Sequence, residues 1–116
     1  MANFEWTEDA LLAVGESIIY KCMLESEEGN KIPVILTNHR IIWISGGFVD
    51  SRLLKFICKY GVFEGYDDYA EDADIGQGEY GIYFGDFSNY ETLWFYSQKV
   101  WKTFYDELSR TIIENL

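Results

Sequence analysis

The chain has 116 residues, 48% apolar and 18% aromatic; that is one domain's length, enough for a core without metal or disulfide, and it excludes a disordered tail. Twenty acids against nine bases leave a net charge of −11, which repels nucleic acid and anionic lipid unless a local basic patch overrides the field. No run approaches the roughly 20 apolar residues of a membrane span, and the opening MANFEWTEDA lacks the basic and apolar regions of a signal peptide.

Thr7 caps a short first helix, with Glu8 and Asp9 at its positive end, Leu11 and Leu12 facing inward and Gly15 closing it. The period then changes to two. From Ser17 to Glu25, Ile18, Tyr20, Cys22 and Leu24 share one strand face. Ser26 to Asn30 is a turn, and Lys31 to Thr37 a second strand whose Pro33 points to an edge or an opening position. Thr37-Asn38-His39 reverses the chain, with Asn38 suited to positive φ. Arg40 to Ser45 is a third strand, ended by Gly46-Gly47.

Arg52 to Tyr60 alternates again, which places Leu54, Phe56, Cys58 and Tyr60 on the core face and Lys55 and Lys59 towards water. Gly61 to Gly65 turns into a short strand ending near Tyr66, and an acidic loop runs from Asp67 to about Gly78. Tyr80 to Phe87 is a strand whose Gly81 and Gly85 suit bulges or strong coiling. Ser88-Asn89 turns the chain into a last strand, Glu91 to Tyr96. Ser97 then caps an amphipathic helix with Val100, Trp101, Phe104, Tyr105, Leu108 and Ile112 on one stripe. Ile113 falls off that stripe, and Lys102, Asp106 and Arg110 follow each other on the wet face as helical ion pairs do. The whole chain, 1–116, thus reads as a single mainly β (α+β) domain. It is a strongly bent antiparallel barrel or sandwich of about seven strands, capped by a C-terminal α-helix.

Chemistry is sparse. Residues 61–80 hold seven acids and no base, and Glu64, Asp67, Asp68, Glu71, Asp72 and Asp74 form the candidate acidic binding surface. The ordinary reading of such a run is a solvated loop; the sharper one is a face for a basic partner. Tyr66, Tyr69, Tyr80, Tyr83 and Tyr90 cluster around it, as sheet packing or as an interface. Aromatics interleaved with acids rather than bases point to protein, not nucleic acid. Cys22 and Cys58 fall within apolar alternation, as small buried hydrophobes, and the only histidine is His39. No spacing matches a zinc site or a calcium loop, so no metal, cofactor or catalytic residue is expected. Two cysteines without an export signal suggest reduced thiols and a cytoplasmic protein.

The order of elements carries the string LLAVGESIIY at Leu11 to Tyr20, with Leu12, Gly15, Glu16, Ile18 and Ile19. It also carries VILTNHRIIWIS at Val34 to Ser45, with Thr37, Asn38, His39 and Arg40, and it ends in a strand and a capping helix. In these features the chain resembles the pleckstrin-homology (PH) superfold, most closely its GRAM-like and bacterial PH-like branches. On the residues themselves, Thr37 can bond the turn backbone and Arg40 can reach a carboxylate or carbonyls near Glu16. The resemblance implies inositol-phosphate binding through bases in the loop after the first strand. Here that loop reads Glu25, Ser26, Glu27, Glu28, Gly29, Asn30, and its three carboxylates repel a phosphate; Lys21 and Lys31 only flank it. Relatives of the fold also bind peptides beside the final helix, which needs apolar surface and strand edge. The expected binding groove is therefore Trp101, Phe104, Tyr105 and Leu108.

Two functions are weighed. The first is a non-catalytic module that binds a protein or peptide without stable membrane association. The second is an acidic inhibitor, of the immunity-protein or DNA-mimic kind, that neutralises a basic enzyme through charge steering. An exposed strand edge leaves a homodimer open.

Overall fold

The computed structural model describes residues 12–26, 28–65, 73–86 and 88–115. The short helix expected at Thr7 and the residues Asp67, Asp68, Glu71, Asp72, Tyr66 and Tyr69 lie outside them.

Period-two alternation produces a first sheet of four antiparallel strands in sequence order: β1 (Ile18–Glu25), β2 (Lys31–Thr37), β3 (Arg40–Ser45) and β4 (Phe48–Leu53). Leu24, Ile32, Val34, Leu36, Ile41 and Trp43 turn one face of it into the core. Ile35 and Ile42, cross-strand partners on the opposite face, are buried too. Pro33 sits in an interior strand rather than at an edge. It precedes Val34–Leu36, the stretch that pairs with β3, so its missing N–H removes nothing from that ladder. Gly46 and Gly47, both at positive φ, make the β3–β4 reversal and leave Phe48 80% exposed.

The strand expected over Arg52 to Tyr60 is two strands separated by a 3₁₀ turn. β4 ends at Leu53, a 3₁₀ turn spans Leu54–Phe56, and β5 (Lys59–Glu64) begins the second sheet. The turn breaks the parity: Leu54 and Ile57 are buried, whereas Phe56 is 55% exposed and Cys58 is exposed. Only Leu54 and Tyr60 of the four expected core residues pack on the core. The second sheet has the order β5-β7-β8-β6 and adds β6 (Ala73–Ile75), β7 (Tyr80–Gly85) and β8 (Tyr90–Phe95). β6 runs parallel to β8, inside a segment expected to be loop. Gly81 and Gly85 sit in unbroken register, so neither makes a bulge. Gly85 serves close approach instead, since a Cβ there would collide with the Asn89 carbonyl. The architecture is therefore two four-stranded sheets among the described residues, eight strands rather than about seven, with one parallel pair and no closed barrel.

The C-terminal helix α1 (Gln98–Glu114) starts where Ser97 Oγ accepts the Val100 amide. Trp101, Phe104 and Leu108 are buried against both sheets, joined by Thr111. Phe104 meets Tyr20 of β1 edge-on at 6.1 Å and Phe95 of β8 at 5.7 Å. The Trp101 indole N–H donates to the Gly81 carbonyl at 2.9 Å. Trp43 against Phe84, centroids 5.8 Å apart, joins the sheets in the interior. Near the rim, Arg52 of β4 donates to Glu91 of β8 at 2.6 Å. On the wet face Arg110 pairs with Glu107, one turn back, rather than with Asp106. No helix among the described residues is long and apolar enough to cross a membrane.

Candidate functional site

The Thr-Asn-x-Arg turn is a structural lock. Arg40 grips Glu16 through Nε at 2.9 Å and Nη2 at 3.0 Å, and the Thr37 hydroxyl donates to the same carboxylate at 2.6 Å. Thr37 Oγ1 also accepts the amides of His39 and Arg40. Asn38 reaches back, accepting the Ser17 amide and donating to the Gly15 carbonyl. It does so without positive φ, which no described non-glycine residue adopts, because these side-chain bonds close the turn. Burial alone would raise the Glu16 pKa. The bonds from Arg40, Thr37 and the Ala13 amide outweigh that and bring it down to about 2. All its partners are internal, so the lock offers nothing to a ligand.

Of the expected acidic surface, only Glu64 and Asp74 lie among the described residues, and these two do not adjoin. Glu64 ends β5 and Asp74 lies on β6, the two outer strands of the second sheet. Three strand spacings, about 14 Å, separate them. Asp74 instead joins Glu28 of the β1–β2 turn. Together with Ser26 and Ser45 they rim a cleft of about 420 Å³ whose floor is Ile32, Trp43 and Ile75. The Trp94 indole N–H holds Asp74 Oδ1 at 2.9 Å. Gly76 closes the cleft at positive φ, where a Cβ would meet Leu24 at 3.0 Å. Among the described residues no base lines this cleft, and the adjacent Lys31 pairs with Glu25 at 3.3 Å. Trp43 and Ile75 were not expected at a site. The alternation of RIIWIS places Ile41 and Trp43 on one face, but only the pairing of β6 with β8 brings Asp74 and Ile75 there.

The expected helix groove is filled from within. Trp101, Phe104 and Leu108 are core residues, and Tyr105 is half-buried with its ring 6.0 Å from Tyr60. They face the sheets because a stripe this apolar is stabilised most by burial. Some apolar surface is left beside the helix at its N-terminus, in a small cleft of about 160 Å³ that includes Met23, Tyr96 and Val100.

Catalytic pairings fare no better. Cys22 packs on the core, where burial pushes its thiol up to about 12. Cys58, expected inside, is exposed. Neither thiol is hydrogen-bonded to His39 among the described residues, and no group of three or more His, Cys, Asp or Glu there could hold a metal ion. Tyr80 stacks on Trp101 at 5.0 Å and Tyr83 meets Tyr90 edge-on at 6.0 Å, so these tyrosines are engaged in packing. Comparison with protein-family models and with curated proteins returns no match to this chain.

Proposed function

We propose that the chain is a non-catalytic protein-binding module of the PH/GRAM type, and that its partner carries a basic segment. One observation carries the reading: among the described residues, the cleft between the β1–β2 turn and β6 has an aromatic and aliphatic floor, two carboxylates on its rim and no base. A lysine or arginine side chain would lay its stem on Trp43 and Ile75 and bring its charge to Glu28 and Asp74. The same rim repels inositol phosphates and anionic membranes. Two free thiols suit a reducing cytoplasm as the place of action.

The test is titration of a labelled Lys/Arg-rich peptide, read by fluorescence anisotropy across a salt series. Binding should weaken steeply with salt. Glu28→Gln and Asp74→Asn should each weaken it about two- to fivefold, as partly exposed ion pairs do; Asn at 74 keeps an acceptor for Trp94. Affinity that survives high salt and both substitutions would defeat the acidic-cleft reading. It would move the contact to the apolar surface beside α1. Vesicles containing phosphoinositide should not pellet the protein.

A further inference from the structure

A second cleft, of about 340 Å³, opens at the far end of α1, with a lysine on its rim where the first has carboxylates. The β2–β3 turn, the end of β4, the 3₁₀ turn and the last turn of α1 converge there. Its floor is aliphatic: Leu54 and Ile57 are buried, Ile112 is half-buried and Leu53 stands 37% exposed. Its rim carries Lys55 and His39, both exposed. Among the described residues no acid lines it, in a chain with twenty acids and nine bases. The neighbouring Phe56 is exposed, and the Lys55 ammonium rests 5.2 Å from its ring centre.

We infer that this cleft docks a short apolar peptide segment flanked by carboxylates on a partner protein. A volume of this order takes two or three side chains. Leucine-sized groups on Leu53 and Ile112 would cover surface that is now wet, with a neighbouring carboxylate reaching Lys55. The carboxylate rim of the first cleft repels such a peptide, which favours this end over that one. The two clefts would then take partners of opposite charge, and this inference does not depend on the first.

The experiment uses the whole chain and a fluorescent peptide with two leucines between runs of Asp and Glu. A second peptide replaces those acids with Lys. Saturable binding of the acidic peptide alone is expected, weakened roughly tenfold or more by Lys55→Glu, where attraction becomes repulsion. Leu53→Ser should weaken it severalfold, and Glu28→Gln should leave it unchanged. Circular dichroism confirms that each variant is folded; Lys55 is exposed, so its reversal should leave the fold intact. Equal binding of both peptides, or indifference to Lys55→Glu, would overturn the inference. So would pelleting with phosphatidylserine vesicles, or a concentration-dependent dimer in sedimentation, if Lys55→Glu abolished it. The first would reassign the cleft to lipid and the second to another copy of this chain.

Discussion

At the scale of residues, Glu16 shows how a buried charge is kept ionised. Its carboxylate is desolvated, yet three bonds from Arg40 and Thr37 and one from the Ala13 amide hold it. Its pKa of about 2 lies below the usual 4.5, so the group favours the folded state fully above about pH 5. That contribution is lost as pH falls towards 2. Glu16→Gln should cost about 1.5–3 kcal/mol at neutral pH, as for hydrogen bonds to charged groups. In urea melts, the gap between variant and parent should shrink as pH drops through this window. A gap that is constant with pH would deny the carboxylate this role. The cysteines differ in the same physical way. A thiol reagent at mildly alkaline pH should modify Cys58 in the native protein well before the half-buried Cys22, whose thiol is pushed up in pKa. Equal rates for the two in the native protein would contradict this difference.

At the scale of elements, α1 holds the two sheets together through one stripe. Phe104 is fully buried between β1 and β8, so Phe104→Ala should destabilise by about 3–5 kcal/mol. Ile113 is 63% exposed on the same helix, and Ile113→Ala should stay within about 0.5 kcal/mol. Chemical denaturation of the pair measures the contrast, and equal losses would mean that the helix does not face inward along this stripe. The helix was legible because its apolar residues repeat at three and four and Ser97 stands at its start. The break at Leu54–Phe56 was not. LLKFICKY alternates as a strand does, and its turn satisfies its backbone through Ile57 to Leu54 and Leu54 to His39, partners that no periodicity announces.

At the scale of the whole molecule, the charge of −11 sits on a framework with few compensating pairs at its centre. Glu16–Arg40 and Glu91–Arg52 tie remote segments, and Arg52 spans the two sheets. The acids in excess of the bases repel one another. Raising salt from a few millimolar to about 0.15 M should therefore raise the melting temperature by screening that repulsion, followed by calorimetry. A melting temperature that falls would mean that the ion pairs outweigh the repulsion. The two clefts belong to this scale as well. Each is assembled from segments far apart in sequence, Ser26 with Asp74 in one and His39 with Asn115 in the other.

The chain by itself determined its alphabet of elements: hairpin strands from alternation, a capped amphipathic helix, and an acidic balance that argues against phosphate ligands. It also pointed to Glu16, Thr37 and Arg40, because a turn motif beside a Gly-Glu pair has few other ways to satisfy its polar groups. Tertiary structure alone decided that the strands divide into two sheets, that β6 pairs parallel with β8, and that Glu64 and Asp74 lie on opposite edges. It also turned Trp101, Phe104 and Leu108 from a proposed groove into core. Period and charge report which side of an element is apolar or ionised. They carry no information about which element covers it, and that is set by long-range packing.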